Sequence, residues 1–392
     1  MTSNTPSRIS LLLRFASLFV ALLTTSFAQD LELPTDYQID LQLAMSGRSS
    51  RMGTSSEITG TRANVVGDEV FHKLISAGFG LPYPWKLTLV GNDSVNAEST
   101  AAGQLYVYGG ILPILGENRG LWAAVLSHEV AHTSRRHQVR RYIQVLYNQQ
   151  IIANFRARIA AGDRNANWGL IGFEIGSAIA MKKMMRDQEH DADAQGMLLM
   201  ARAGYHPDYV FALHHVLLAR TGDQSKFAAF FSDHPRWETR DQRSEKAYGD
   251  ALAQFEQSWP DSDTSPGGRP PLVAFIGHPE AKENKTAGSA DVSIPMYCRN
   301  ATHTVDAIVL FQKGKHPVPS ADPEFADKEG NLAYRQEVTC PTKDEAPVAI
   351  SIPATVVSPH DRSVKAMVFV ATKHSLIAQS KTFDVHFPKV KK

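Results

Sequence analysis

The chain has 392 residues, 43% of them apolar and 21% charged, which is enough to bury a sizeable core and too long for one average domain. Its 41 Lys and Arg against 40 Asp and Glu leave a net charge of +1, so bulk composition shows no general pull toward nucleic acid or an anionic surface. The only two cysteines, Cys298 and Cys340, lie in the C-terminal third. They either pair in an oxidising compartment or stay as buried thiols, and neither has His or acidic neighbours at the spacing of a nucleophile or a metal ligand.

At the N-terminus, Arg8 and Arg14 flank the start of an apolar run from Ile9 to Leu23, and small residues lead to Ala28 before the polar Gln29-Asp30. This order predicts a secretory signal peptide over 1–28, and hence a periplasmic or secreted protein with no stable membrane span after cleavage. An uncleaved anchor is the alternative, although the run sits near the lower length limit for a span. Residues 29–62 are polar and rich in Ser, Thr and Gly.

From 63 to 257 the texture is mainly helical. Val66, Val70, Phe71, Leu74 and Ile75 give the spacing of an amphipathic helix over 65–77. Short strands are expected at 87–90 and 105–108, then long helices over 121–152 and 171–203. Residues 258–271 carry the Pro, Gly, Ser and Asp of a linker. Beyond it, β-type runs at 272–276, 305–311, 348–352, 365–371 and 381–387 predict a small antiparallel sandwich, possible as an Ig-like module over 272–392. The fold class is therefore α+β: a helix-rich domain over 63–257 with a small sheet, followed by a β domain.

The chemistry concentrates at His128-Glu129-Val-Ala-His132. Two His four apart on a helix share a face and reach one ion, and the Glu between them is placed to take a proton from a water there. Neutral imidazole and carboxylate suit zinc, one ion per chain. A third ligand is needed, and Glu189 and Asp193, also four apart on an expected helix, offer it: one carboxylate to bind, the other to orient an imidazole. His137, His214 and His215 read as structural, and His190 as a surface or packing residue.

His128-Glu-Val-Ala-His132 with Glu189-His-Asp-Ala-Asp193 resembles the gluzincin metalloproteases that include HtpX, the CAAX prenyl protease, the Oma-type protease and BepA. The resemblance runs from about Val65 to Arg243. It implies Glu189 as third zinc ligand, Asp193 behind the ligands and Glu129 as general base. It also implies a substrate-binding edge strand through Asn96, Ala97 and Gly103 to Val107, including Gln104, Leu105 and Tyr106. Ser232-Asp-His234-Pro235 through Arg240 is similar to that family's HPxxxxR element. By that match His234 stabilises the oxyanion or occupies the open metal position, and Arg240 orients carboxylates or the transition state. Glu98 and Ala101-Ala102 depart from the family pattern, which bears on substrate preference. The expected activity is zinc-dependent hydrolysis of polypeptide, with no nucleic-acid partner and a protein partner for the β domain. The alternative is a latent zinc-containing polypeptide-binding protein.

Overall fold

The computed structural model describes residue 39 and residues 55–78, 83–219, 237–300, 304–314, 316–342, 347–373 and 376–389; for 218–219, 237–245 and 262 it describes the backbone alone. The expected signal peptide, most of the polar segment 29–62 and His234 lie outside the described residues, as does the side chain of Arg240. The chain is α+β. Its buried apolar side chains form two large clusters, one between Val66 and Phe255 and one between Ala274 and Phe387.

The first cluster is built around one helix. Helix α1 (Arg62–Ala77) starts at a capping box in which the Thr61 and Asn64 side chains satisfy each other's backbone. A short sheet follows, β1 (Lys86–Val90), β2 (Ala97–Ser99) and β3 (Gln104–Tyr108), in the order β1-β3-β2. Helix α2 (Arg119–Ser134), capped by the Asn118 side chain accepting from the Leu121 N–H, is buried at every position from Gly120 to Thr133 except His128. A helix covered all round must sit in the centre of its domain. Two glycines admit its neighbours: a Cβ on Gly67 of α1 would stand 3.0 Å from the Trp122 ring, and one on Gly120 would overlap the Tyr209 ring.

The helix expected over 121–152 is two helices. The chain breaks at Arg136, which adopts φ 56°, and restarts as α3 (His137–Ala160). A left-handed residue cannot continue an α-helix, so the axis turns there. Helix α4 (Arg164–Arg202) is capped by Asp163 and begins earlier than the expected 171. It stops where Gly204 takes φ +84° and the Tyr205 N–H donates to the Met200 carbonyl at 2.9 Å. Helices α5 (Asp208–Ala219) and α6 (Trp237–Ser258) follow among the described residues. Among the described residues no helix is long and apolar enough to cross a membrane.

The C-terminal region is strand-rich. Strands β8 (Thr304–Lys313), β10 (Ala333–Thr339), β12 (Ser363–Ala371) and β13 (Leu376–Gln379) form one sheet, joined by β14 (Phe383–His386) on β12 and by the two-residue β9 (His316–Pro317) on β8. A second sheet holds β5 (Glu280–Asn284), β6 (Ser289–Ile294) and β11 (Val348–Pro353), and β4 (Val273–Ile276) pairs with β7 (Met296–Arg299). Alternation sets the inner faces: Val305, Ala307, Val309 and Phe311 of β8 share one cluster with Val292 of β6 and Ile350 of β11. Cys298 and Cys340 are bonded to each other across a separation of 42 residues.

One half-buried cation ties the two regions. Arg299 at the end of β7 lies over the rings of Tyr248, Phe275 and Phe211, at 3.9, 4.5 and 5.1 Å from their centroids. Its Nη1 donates to Oδ1 of fully buried Asp208 at 3.1 Å, and Asn300 and Tyr248 donate to the other carboxylate oxygen. Asp208 opens α5, so the strand region is fastened to the helix that walls the cleft described below. Replacing Asp208 with Ala removes the buried carboxylate that accepts from Arg299, Asn300 and Tyr248 and is expected to lower unfolding free energy by about 1–3 kcal/mol in urea melts. A loss well under about 1 kcal/mol contradicts the latch.

Candidate metal centre

His128, Glu129 and His132 come from α2, and Glu189 and Asp193 from α4. The two helices cross closely because Gly196 faces the His128 backbone, where an added Cβ would stand 3.2 Å from its nitrogen. With Gly196 as the contact, the preceding turns of α4 aim Glu189 and Asp193 at the two imidazoles. Nε2 of His128 and Nε2 of His132 are 3.0 Å apart, and the Glu189 carboxylate lies 3.5 Å from the first and 3.3 Å from the second. These three side chains form a group whose ligand atoms all lie within 4.8 Å of one another.

The outer nitrogens are engaged as well. His128 Nδ1 is 3.0 Å from Asp193 Oδ1, and an acceptor-only carboxylate makes that nitrogen the N–H donor. His132 Nδ1 is 3.0 Å from His137 Nδ1, while His137 Nε2 is 3.1 Å from Asp191 Oδ2. Burial pushes His137 down to about 4, against the raising effect of Asp191, so its ring is neutral. Burial raises Asp191, but hydrogen bonds from Arg135 and His137 outweigh it and hold the group below the usual carboxylate range. A neutral His137 donating from Nε2 to Asp191 must accept at Nδ1, which assigns the intervening proton to His132 Nδ1.

Both Nε2 atoms then carry lone pairs, 3.0 Å apart and beside a buried carboxylate. Two imidazole lone pairs converging beside a carboxylate form a donor set that a cation would match. Two imidazoles and one carboxylate are the donor set of a catalytic zinc site, so the residues present fit that ion. His132, Glu189, Glu129 and Asp193 are buried, whereas the His128 side chain is 13% exposed, which marks the side from which the group is reached.

His128, Glu129 and Asp193 line a narrow cleft with Ala97 of β2, Met197 of α4, and Val210, Leu213 and His214 of α5. His214, read from sequence as structural, is thus a wall of the cleft, and His137 and Asp191 stand directly behind His132. His137 lies five positions after His132, off any common helical face, and only the turn at Arg136 brings it back.

The expected substrate strand is corrected by the topology. Gly103 sits in the turn before β3 at φ +80°, packed against Tyr83 and Trp85, and Gln104, Leu105, Tyr106 and Val107 form the central strand. Their main chain pairs with β1 on one side and β2 on the other, so it has no free edge. The edge is β2. The Asn96 carbonyl accepts from the Tyr108 N–H and the Thr100 N–H donates to the Gln104 carbonyl, so Ala97 and Ser99 turn their main chain outward. Outward, the Ser99 carbonyl accepts from Gln138 Nε2 at 3.1 Å, and the Ala97 N–H donates to the Asn96 side chain. Glu98 accepts from the Tyr108 hydroxyl.

If Asp193 holds the ligand face of His128 in place, Asp193→Ala lowers zinc affinity about 10–100-fold, measured by competition with a chromophoric chelator. Unchanged affinity contradicts that role.

The profile of peptidase family M48 matches residues 62–247. Mitochondrial metalloendopeptidase OMA1 of Schizosaccharomyces pombe is 25% identical over 197 residues, covering 49% of this chain and 56% of that protein. The β-barrel assembly-enhancing protease of Escherichia coli K12 is 23% identical over 176 residues, covering 43% of this chain and 35% of its own length. The same-named protein of Yersinia pestis is 24% identical over 166 residues, 40% and 32% of the two lengths. The chain thus spans between about a third and just over half of these relatives. The match begins at the start of α1 and encloses every residue of the His128, His132 and Glu189 group, and this region of the chain belongs to peptidase family M48.

Proposed function

We propose that the chain is a zinc-dependent endopeptidase of the cell envelope or secreted space that hydrolyses unfolded or misassembled polypeptides. The observation that carries this reading is the convergence of His128 Nε2, His132 Nε2 and the Glu189 carboxylate beside a cleft that Glu129 lines. Family membership and relatives named as a metalloendopeptidase and a protease support the same activity. Zinc held by these three residues supplies a Lewis acid for the scissile carbonyl and makes water more acidic. Glu129 takes the proton from the attacking water and passes it to the leaving amine. Asp193 and His137 keep the two imidazoles in the ligating tautomer, so that neither competes for that proton.

An extended peptide adds beside Ala97 at the outer edge of β2, held by main-chain hydrogen bonds and hence tolerant of sequence. Arg240 and His234 belong to the same proposal, His234 as oxyanion donor or as the group that closes the metal position. So do the signal peptide over 1–28, the division into domains at 63–257 and 272–392, and an Ig-like sandwich that docks a protein partner.

Glu129→Gln tests the reading. Zinc content stays at one per chain while kcat on an unfolded substrate such as casein falls about 10²–10⁴-fold. Chelator abolishes cleavage by the native chain, and added zinc restores it. Undiminished cleavage by the variant overturns the assignment of the base. Full zinc loading with no cleavage by the native chain favours the latent polypeptide-binding alternative.

A further inference from the structure

Helices α3 and α4 project as a hairpin before α4 reaches the metal site, and the hairpin carries a surface that catalysis does not use. Among the described residues eight large apolar side chains are exposed: Val145, Tyr147, Trp168, Ile171, Ile175 and Ile179 on this hairpin, Val65 and Leu310 elsewhere. Trp168, Ile171, Ile175 and Ile179 are 75, 41, 59 and 64% exposed. At 100° per residue the four fall within an arc of about 80°, a single stripe about 17 Å long. The opposite face of α4 is spent on the hairpin's own packing, where buried Ala166 and the Gly169 backbone meet α3: Gly169 lies against Phe155, and the Phe155 and Phe173 ring centroids are 6.3 Å apart. The stripe is therefore a surface feature and not a displaced part of the core.

Charge frames it. Arg164 lies on the same arc one turn before Trp168, Lys182 one turn after Ile179, and Arg186 one turn further, all three exposed. From His137 to Asp187 the hairpin carries eight Lys or Arg against Asp163, Glu174 and Asp187, a net +5 within a chain of net +1. Two of those acids are already paired, Asp163 with Arg158 at 2.7 Å and Asp187 with Lys183 at 3.1 Å.

We propose that this stripe binds the surface of an anionic lipid bilayer, with Trp168 and the three isoleucines in the headgroup–acyl boundary and Arg164, Lys182 and Arg186 on lipid phosphates. An apolar face of this width, ended by cations and led by a Trp, is the pattern of a helix lying in the interface plane. Its length is about half of the roughly 30 Å needed to span a bilayer, so the helix lies on the membrane and does not cross it. A second copy of the chain fits worse. Antiparallel pairing of two stripes sets Arg164 against the partner's Lys182, and parallel pairing sets each cation against itself, so like charges meet either way. Glu189 follows Ile179 by ten residues on the same helix, about 15 Å along its axis. Docking therefore holds the metal site close to the bilayer surface, where membrane-inserting or membrane-released polypeptide is the nearest substrate.

The test uses the full chain with vesicles of phosphatidylcholine alone or mixed in equal parts with phosphatidylglycerol, some carrying brominated acyl chains. Expected are co-sedimentation with the anionic vesicles that weakens as salt is raised, and bromine quenching of a fluorescence component that Trp168→Phe removes. Ile175→Glu with Ile179→Glu should reduce partitioning about tenfold or more, and Arg164→Glu with Lys182→Glu should abolish the preference for phosphatidylglycerol. Absence of sedimentation overturns the proposal. So does binding that neither pair of substitutions alters, because another segment then holds the membrane. A Trp168 component already blue-shifted without lipid, or an oligomer that the isoleucine substitutions dissociate, also overturns it by showing the stripe covered by protein.

Discussion

Everything in the metal centre depends on how closely α4 approaches α2. The proposed ligands come from segments 57 positions apart in sequence, so only a long-range contact can hold Glu189 near His128 and His132. Gly196 sets the separation. Without a side chain there, the α4 backbone settles against the backbone of His128 itself, and the carboxylates one and two turns earlier are carried to the imidazoles. Around this contact α2 is enclosed by α1, α5 and the small sheet, with Trp122 filling the space over Gly67 and Tyr209 crossing Gly120. A fully enclosed helix has little freedom to shift, which gives the donors a fixed frame.

The fixed frame makes the electrostatics costly unless they are matched. Two lone pairs and a carboxylate are held together out of water, with the outer nitrogen of each imidazole already committed. Asp193 supports one ring directly. The other is supported through His137, Asp191 and Arg135, a relay that ends at the surface on a permanent cation. The difference has a structural source, since Asp193 shares a helix face with Glu189 whereas His137 belongs to the next helix. Asp208 poses a related problem at the other wall of the cleft, where Arg299, held over aromatic faces, matches its buried charge while joining α5 to the strand region.

How much of this was legible in sequence follows the range of the interaction. The pair His128 and His132 is set by helical spacing alone, and so is the pairing of Glu189 with Asp193 on one face. Which of those carboxylates meets the metal and which meets a ring nitrogen depends on the α2–α4 contact. The relay through His137 was hidden because the turn at Arg136 uses a residue with no preference for positive φ. Alternation exposed β8 and β12, but β5, reading Glu-Ala-Lys-Glu-Asn, has little apolar periodicity to detect. That β3 is central depends on its parallel pairing with β1, a long-range contact that neither strand's own sequence announces. Net charge near zero likewise averaged over a hairpin of +5 and a remainder of opposite sign.

The central claim, that His128, His132 and Glu189 form one zinc site, is tested most directly by anomalous scattering from zinc-loaded crystals of the chain. The account predicts one anomalous peak per chain, bonded to Nε2 of both histidines and to the Glu189 carboxylate at about 2.0–2.2 Å. A strong peak elsewhere, or a zinc-loaded chain with these three side chains turned away from one another, would contradict it.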